Sequence, residues 1–369
     1  MPWTKKEFQS MAAIERAGKK RMQTNEKIHV AMAFCDPKGT YCRHAAVTMV
    51  SIFANTSRRV CVHIVHDDTL TCGNRSKLEL IASSYGQEVN FINIESLLDT
   101  ERIDVSRLTV DGMRGTLFRL LLPDVSDEDK MIYLDCDIAV EMDIAELWNV
   151  PLGECAVAAV RDVWSLDYVK GKPLPWRLDK VWQLLGVKRG EYFNAGVLLL
   201  NLKKIREEYD FLEEVGNFYA NYKKCITLAD QDCLNYIFAD DKLLIDEKFN
   251  RIDATGVTEN DLKGAIWHMA GGAAKPWVLC TRPYVDDLYW RYLMMTPYCR
   301  DENELIRIIL HDFSTSSYAH LHSSDCVRRL KKQIADNIFR GHIWTLPYIF
   351  IKKLSGNRRK IRYSGAKKS

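Results

Sequence analysis

The sequence predicts an α/β protein whose mostly parallel sheet is covered by helices on both faces. Short apolar runs typical of buried strands alternate with helical stretches through the first two thirds of the chain. This βαβα order is the usual source of a parallel sheet. Neither a Gly-x-Gly-x-x-Gly motif after the first strand nor a Walker-type loop is present, which argues against dinucleotide-binding and P-loop proteins.

The predicted elements follow one another closely. After about Val285 the pattern changes to aromatic-rich, amphipathic helical segments without strands. The predicted strands cover residues 29–34, 60–65, 89–94, 131–134 and 156–160, with a further buried strand within 192–202. The predicted helices cover residues 43–54, 77–85 and 113–122, and another starts near residue 229.

Length and composition indicate a globular protein with a full core. The chain has 369 residues, 47% of them hydrophobic and 27% charged, enough for one large domain with an appendage or for two ordinary domains. Its eleven cysteines lack zinc-type pairing, which predicts reduced thiols and a cytosolic location. Residues 1–27 are polar and basic without a secretory core, and no apolar stretch reaches the length of a spanning helix.

Charge is concentrated at the carboxyl end of the chain. Residues 340–369 contain nine Lys or Arg and no acid. Because the whole chain has a net charge of +3, residues 1–339 have a net charge of about −6. This distribution argues against nucleic-acid binding over the whole fold and favours one local anionic contact. The segment 344–351 is aromatic and apolar, so the tail predicts docking on an anionic membrane leaflet, with a packed terminal helix or flexible basic tail as the alternative.

The most informative motif is Asp135-Cys136-Asp137, which ends the apolar run 131–134. Alternate side chains of a strand share a face, so the two carboxylates point the same way. Ligands of parallel sheets bind beyond the carboxyl ends of the strands. The motif therefore predicts a site for Mg²⁺ or Mn²⁺, ions that often also bind phosphate oxygens.

Four further segments accompany this motif. Residues 192–202 place Asn194 and two small residues before a buried strand, where an amide can bind a hydroxylated ligand and the backbone can approach it closely. Residues 229–235 start a helix, with Asp230 as the predicted N-cap. Residues 268–277 offer an imidazole, two glycines and a lysine suited to phosphate. The fourth segment, Phe118-Arg119, leads into an apolar helix.

With these motifs the chain resembles glycosyltransferase family 8, whose members are retaining sugar transferases. The resemblance covers about residues 29–277 and rests on four motifs in family order. These are Asp-x-Asp, Phe-Asn-Ala-Gly-Val-Leu-Leu-Leu-Asn-Leu, Asp-Gln-Asp-x-Leu-Asn, and His followed by Gly and Lys-Pro-Trp. It implies a GT-A-type fold and the use of Mn²⁺ with a UDP-sugar.

Carried over position by position, the resemblance implies a Mn²⁺ site, with Mg²⁺ as the alternative ion, formed by Asp135, Asp137 and His268. The ion would bridge the diphosphate and stabilise UDP as it leaves. The substrate-binding positions that it implies are Ala33, Asp36, Arg119, Cys136, Asn194, Ala195, Gly271, Gly272 and Lys275.

The catalytic positions implied in the same way are Gln231, Asp162 and Asp230, which with Arg119 and Asn194 match donor-sugar contacts of the family. Gln231 would lie beneath the anomeric carbon, opposite UDP. Because an amide is a poor nucleophile, front-face transfer is favoured, in which the acceptor hydroxyl attacks on the side that UDP leaves. A double displacement through a group such as Asp162 is the alternative.

Two positions depart from the family pattern. Three residues separate Gly271 from Lys275 where the family commonly has two, so either Gly272 takes the glycine role or the loop bulges. The first strand ends Phe-Cys-Asp-Pro, which leaves Asp36 as the polar side chain for a uracil contact.

The sequence thus predicts a retaining hexosyltransferase that moves galactose or glucose from a UDP-sugar to a glycan or glycolipid such as a lipopolysaccharide core. We expect a cytoplasmic protein peripherally bound to the inner face of the membrane, with no nucleic-acid partner. The predicted division is an extension over 1–27, a transferase domain over 28–284 and a helical region with a basic aromatic tail over 285–369. The alternatives are a haloacid-dehalogenase-type phosphatase and a non-catalytic sugar-nucleotide-binding module.

Overall fold

The computed structural model describes residues 26–95, 114–271, 275–278 and 280–315. Within these residues the chain forms nine strands. They are β1 Ile28–Phe34, β2 Val60–His66, β3 Glu88–Asn93, β4 Lys130–Leu134, β5 Ile138–Val140, β6 Val157–Arg161, β7 Phe193–Asn201, β8 Lys242–Leu244 and β9 Ile266–His268.

The strands form a seven-stranded sheet and a separate two-stranded ribbon. The order in the sheet is β3-β2-β1-β4-β7-β6-β8, and β5 pairs with β9 in the ribbon. All sheet pairings are parallel except those of β7, which runs antiparallel to both β4 and β6. The predicted mostly parallel α/β sheet is therefore confirmed, with one reversed strand at its centre.

Helices flank the sheet. They are α1 Cys42–Asn55, α2 Cys72–Tyr85, α3 Arg114–Leu117, α4 Leu122–Val125, α5 Ala145–Trp148, α6 Val163–Val169, α7 Trp176–Leu184, α8 Leu202–Glu208, α9 Phe211–Tyr222, α10 Ala229–Ile237, α11 Pro283–Met294 and α12 Glu302–Thr315. Three 3₁₀ turns cover Phe118–Leu121, Glu247–Phe249 and Glu259–Asp261. Among the described helices, none combines the length and the apolarity that a membrane crossing requires.

The core lies on both faces of the sheet because alternate side chains of each strand point to opposite sides. In β1, Val30 and Met32 belong to one hydrophobic cluster, which includes most of α1, whereas Ala31 and Ala33 belong to the other, which includes Phe118. Strands covered in this way are apolar on both faces, which explains the short apolar runs in the sequence.

The last described helices pack against this core. Tyr289 of α11 and His44 of α1 are hydrogen-bonded at 2.7 Å, and Tyr292 donates to Glu141 at 2.5 Å. Arg43 donates to Asp312 of α12 at 2.5 Å. Helices α11 and α12 thus contribute side chains to the same cluster as α1.

The helix predicted over residues 113–122 is replaced by three short turns. A Cβ atom at Gly115 would lie 2.8 Å from the backbone nitrogen of Cys35, so α3 packs its backbone directly on the end of β1. A 3₁₀ turn then leads to α4, whose first turn contains Pro123. Proline lacks the N–H that a continuous helix would need there. The broken helix places Arg119 beside the end of β4.

Candidate active site

The Asp-Cys-Asp motif occupies the turn between β4 and β5. The backbone N–H of Asp135 donates to the carbonyl of Gly196 at 2.8 Å, which holds the motif against β7. Strand β5 pairs with β9 so that Ile138 faces His268. This register brings His268 to the motif although it lies 131 positions after Asp137.

Asp135, Asp137 and His268 form one cluster. The Nε2 atom of His268 lies 3.4 Å from Oδ1 of Asp137 and 3.7 Å from Oδ2 of Asp135. The potential ligand atoms of the three residues all lie within 4.8 Å of one another. Asp137 and His268 are each 4% exposed, and Asp135 retains access to solvent.

Gly196 makes room for this cluster. A Cβ atom at this position would lie 2.1 Å from Cε1 of His268 and 2.9 Å from Oδ2 of Asp135. Any larger residue must displace the imidazole. The sequence analysis placed the two small residues before the strand with a ligand-facing role, whereas they lie within β7 and the close approach at Gly196 is to His268.

A chain of amide contacts fixes which nitrogen of His268 faces the carboxylates. The backbone N–H of Gly196 donates to Oδ1 of Asn194, and the same oxygen accepts from Nδ2 of Asn250, both at 2.9 Å. Asn250 therefore presents its own Oδ1 to Nδ1 of His268, at 2.9 Å. Nδ1 must donate to that oxygen, so in the neutral imidazole the lone pair of Nε2 points towards Asp135 and Asp137.

The same network continues to Gln231 and Asp162. Asn194 donates to Oδ2 of Asp162 at 3.1 Å and to Oε1 of Gln231 at 3.0 Å. Gln231 also accepts from the backbone of Ala195 at 3.0 Å and donates to Asp162 at 3.2 Å. These residues are buried, so their side chains are held in one arrangement.

Asp162 is both the N-cap of α6 and a member of the network. Its Oδ1 accepts from the backbone N–H of Trp164 at 3.1 Å, and its Oδ2 accepts from Asn194 and Gln231. Burial raises the pKa of this carboxyl, whereas its hydrogen bonds act in the opposite direction. Both oxygens are therefore occupied by neutral donors in a setting that disfavours the charged form.

Arg119 joins the end of β4 to α10. It donates to the carbonyl of Ala195 at 2.6 Å and to Oδ1 of Asp135 at 2.7 Å, and its Nε lies 2.8 Å from Oδ2 of Asp230. Its guanidinium also lies over the ring of Tyr133, 4.5 Å from the ring centre. The side chain is 4% exposed. These contacts orient Asp135 while leaving its Oδ2 towards His268.

The predicted N-cap role of Asp230 is wrong. Helix α10 begins at Ala229 with Leu228 before it, and Asp230 lies inside the first turn, paired with Arg119. Burial raises the pKa of Asp230 to about 6 against the lowering effect of Arg119. Asp232 binds the start of the helix instead, since it accepts from the backbone N–H groups of residues 227 and 228, each at 2.8 Å.

Lys275 forms an ion pair with Oδ2 of Asp137. Burial raises the pKa of Asp137, but Lys275 and His268 together hold it well below the usual range. Asp137 thus offers Oδ1 to the side of His268 and Oδ2 to an ammonium. Gly271 has a φ of +92°, which favours glycine, and Gly272 lies outside the described residues.

Comparisons with known proteins identify the family of the chain. The sequence model of glycosyl transferase family 8 matches residues 30–279, more than half of the chain. The chain belongs to glycosyl transferase family 8. It is 27% identical over 297 residues to general stress protein A of Bacillus subtilis, covering 74% of this chain and 96% of that protein.

Two further relatives of this glycosyl transferase bear names that describe activities. It is 28% identical over 244 residues to the lipopolysaccharide 1,3-galactosyltransferase of Salmonella typhimurium, covering 61% of this chain and 66% of that protein. It also superposes on the crystal structure of galactosyltransferase LgtC in complex with donor and acceptor sugar analogs. That likeness has a TM-score of 0.59 at 23% identity and covers 75% of this chain and 98% of the other. The latter match supports the GT-A-type fold.

Asp36, which follows the first strand of this glycosyl transferase, is buried and hydrogen-bonded within the protein. Asp36 is 2% exposed, and its carboxylate accepts from the backbone of Tyr41 at 2.7 Å, from that of Cys42 at 3.3 Å and from Asn74 at 2.9 Å. These contacts tie the start of α1 to α2. Both oxygens of the Asp36 carboxylate thus accept hydrogen bonds from within the protein, and its contact with uracil stays a prediction.

Ala33 and Cys136 meet where β1 and β4 end. The thiol of Cys136 points inward to the carbonyl of Ala33, with Sγ 3.9 Å from the oxygen. Both residues are buried, at 8% and 4% exposure. Any substrate contact at Cys136 must therefore use its backbone.

Asn250 was missed by sequence reasoning. It is 3% exposed and follows the 3₁₀ turn Glu247–Phe249, outside the four motifs. The one signal was a polar amide directly after Phe249 in a chain that buries its aromatics. That signal is too common to identify a contact with His268, which lies 18 positions further along the chain.

Proposed function

We propose that this glycosyl transferase moves a hexose, galactose or glucose, from a UDP-sugar to a glycan or glycolipid acceptor, with retention of the anomeric configuration and dependence on Mn²⁺. One observation carries the proposal: the Asp135, Asp137 and His268 cluster adjoins, through Asn250 and Asn194, a rigid pair of polar side chains, Gln231 and Asp162. A cation-binding group beside a sugar-sized polar surface is the arrangement that transfer from a nucleotide diphosphate sugar requires.

The donor set fits a divalent cation. Two carboxylates and one neutral imidazole suit Mn²⁺ better than Mg²⁺, which prefers oxygen ligands alone. The contact of His268 with Asn250 and the room left by Gly196 both prepare the imidazole for this role. When bound, Mn²⁺ would supply Lewis-acid stabilisation of the charge that develops on the departing diphosphate.

Other cationic groups would serve the donor. We assign Lys275 to the diphosphate, because its ammonium lies at the cluster and it follows the Gly271 turn. Arg119 holds Asp135 in place and forms an ion pair with Asp230. It would therefore act on the donor sugar indirectly, by positioning these two carboxylates. The backbone of Cys136 and of Ala195 would complete the contacts with the donor.

The hydrogen bonds of Gln231 and Asp162 favour front-face transfer over a covalent intermediate. Oε1 of Gln231 already accepts two hydrogen bonds, from Asn194 and from the backbone of Ala195. An amide oxygen in this state is a weak nucleophile. Asp162 has both oxygens engaged and a raised pKa. Both side chains are thus better suited to hold the sugar than to attack it.

We propose exposed aromatics beside Asp162 as part of the acceptor site. Trp164 and Tyr168 of α6 are 40% and 42% exposed, and the helix that carries them begins at Asp162. Exposed aromatic rings offer flat apolar faces on which the apolar faces of sugars can pack. A glycan acceptor is also consistent with the lipopolysaccharide galactosyltransferase among the relatives.

Product analysis tests the proposed reaction. Wild-type protein is incubated with Mn²⁺, a panel of UDP-hexoses and glycan acceptors, and the new anomeric proton is followed by NMR. We expect an α-linked product from an α-linked donor. A β-linked product would overturn retention. The alternative double displacement is tested with Asp162→Ala and added azide. Formation of a β-glycosyl azide would show that transfer uses a covalent intermediate. Its absence would support front-face transfer.

We also propose that the basic carboxyl-terminal tail docks this enzyme on the inner face of a membrane, where a lipid-linked acceptor would lie. Residues 340–369, and most of the predicted extension over 1–27, lie outside the described residues, so this proposal rests on sequence. Deleting 340–369 should abolish binding to anionic liposomes and leave donor hydrolysis intact. Equal lipid binding by the truncated protein would refute the docking role.

A further inference from the structure

A second group of potential metal ligands lies at the opposite end of the parallel strands. His29 faces Cys61 in the register of β1 and β2, and His63 follows two residues later on β2. Residues opposite each other, and residues two apart on one strand, share a face of the sheet. The three side chains therefore converge at the amino ends of β1 and β2, whereas the Asp135 motif follows the carboxyl end of β4.

The distances within this group suit a metal ion. The Nδ1 atom of His29 lies 3.0 Å from Nε2 of His63, and the potential ligand atoms of His29, Cys61 and His63 all lie within 4.8 Å of one another. In a tetrahedral zinc site with Zn–N distances of about 2.0–2.1 Å, two nitrogens are about 3.3 Å apart. The pair is thus near the spacing that zinc imposes.

The surroundings also suit the deprotonated nitrogens that a metal needs. Cys61 and His63 are 7% and 5% exposed. The amide of Asn90 lies 3.5 Å from Nδ1 of His63 and can turn to accept a proton there.

Charged groups around the three residues are partly paired. Lys27 binds Glu88 at 2.6 Å, and Oε1 of Glu128 lies 3.1 Å from Nδ1 of His29. Glu128 can therefore supply a fourth ligand, or water can enter from the open groove of about 500 Å³ that these residues line. Three protein ligands with an open fourth position are typical of accessible zinc sites.

We propose that His29, Cys61 and His63 form a second metal site that takes a borderline-soft divalent cation of the Zn²⁺ class. A thiolate and two imidazoles select Zn²⁺ or Co²⁺, whereas the two carboxylates and single imidazole of the Asp135 cluster suit Mn²⁺. The site ties β1 to β2 at the end of the sheet remote from the motif. Its role is independent of sugar transfer, because none of its residues belongs to the proposed catalytic network.

Cobalt spectroscopy on the full chain tests the site directly. Chelator-treated protein is titrated with Co²⁺, and the thiolate-to-cobalt charge-transfer band in the near ultraviolet is followed. We expect a band that saturates at one equivalent and is displaced by Zn²⁺. The band should persist in Asp137→Ala, which separates this site from the catalytic cluster.

Variants identify the ligands. Cys61→Ser should abolish the band, and the matched variant Cys72→Ser, which changes an exposed thiol, should retain it. His29→Gln and His63→Gln leave the thiol in place and should lower the affinity for Co²⁺. We expect a loss of at least about tenfold, the usual effect of removing even a residue that only hydrogen-bonds to a metal ligand. Zn²⁺ should raise the Tm of wild type but not of these variants. The proposal would be overturned if wild type showed no charge-transfer band. It would also be overturned if the band and the Co²⁺ affinity were unchanged in Cys61→Ser, or in both histidine variants.

Discussion

Nδ1 of His268 lies 2.9 Å from Oδ1 of Asn250, and this contact decides how the imidazole can act. Because Asn250 is itself oriented by Asn194, which accepts from the backbone of Gly196, the tautomer of His268 is set by a chain of contacts ending at the strand β7. The metal-binding lone pair therefore depends on residues that do not touch the proposed metal.

Replacing Asn250 should weaken metal binding without abolishing transfer. Asn250→Ala removes the acceptor of the Nδ1 proton, so the imidazole loses its orientation. We expect the Mn²⁺ concentration for half-maximal UDP release to rise about 10- to 100-fold. Activity should recover at saturating Mn²⁺. The control is Asn217→Ala on the exposed face of α9. An unchanged Mn²⁺ requirement in Asn250→Ala would show that the contact has no orienting role.

Adding one methyl group at Gly196 should displace His268. The new Cβ would lie 2.1 Å from Cε1 of the imidazole, so the ring or β7 must move. We expect Gly196→Ala to lose most Mn²⁺-dependent activity while retaining a folded far-ultraviolet circular dichroism spectrum. Gly73→Ala, at a position where the same methyl meets nothing within 4 Å, is the control and should be fully active. Normal activity in Gly196→Ala would contradict the tight packing.

The raised pKa of Asp162 predicts a pH-dependent cost in stability. A carboxyl with a higher pKa in the folded chain binds protons more tightly there, so it favours folding at low pH. That contribution is lost as the pH rises from the ordinary value of 3.8 through the raised one. Urea unfolding of wild type and Asp162→Asn should therefore diverge in favour of the variant as pH rises. A difference independent of pH would place the pKa near its ordinary value.

Trp164 should affect the acceptor and leave the donor alone. Loss of an aromatic contact worth about 0.5–1.5 kcal/mol should raise the acceptor KM of Trp164→Ala by about 2- to 12-fold. Donor hydrolysis and the donor KM should not change. Tyr236→Ala serves as control, since Tyr236 is similarly exposed, at 39%, but its ring packs at a tilt against that of Tyr222, with the ring centres 5.5 Å apart. If both variants behave alike, Trp164 has no specific contact with the acceptor.

The sequence was sufficient for six of the seven sheet strands and for the residues at the end of β4, whereas β8 and the reversed direction of β7 were not predicted. Buried strands are short apolar runs, and Asp135 and Asp137 stand where such a run ends. Asp162 stands shortly after the apolar run 156–160, where a carboxylate favours the start of a helix, and it caps α6. These features depend on contacts close in sequence, which local patterns encode.

Features that depend on distant contacts were not accessible in the same way. The side chain of Asp36 accepts hydrogen bonds from the start of α1 and from Asn74. Asp230 forms an ion pair with Arg119 instead of capping its helix. Asn250 reaches His268 because the next residue, Arg251, pairs with β9 at Trp267. Likewise, His63 received no role from sequence, since its partner His29 lies on another strand. Tertiary packing, rather than local preference, fixes each of these.

The most direct test of the account is Mn²⁺-dependent UDP release from a panel of UDP-hexoses by wild type, Asp137→Ala and the exposed control Asp240→Ala. We expect release from one donor in wild type and control, and a loss of about 1000-fold in Asp137→Ala, as several kcal/mol of metal-assisted stabilisation disappear. If no donor yields UDP while simple phosphomonoesters release phosphate in a metal-dependent manner, the transferase proposal is wrong and the protein is a phosphatase.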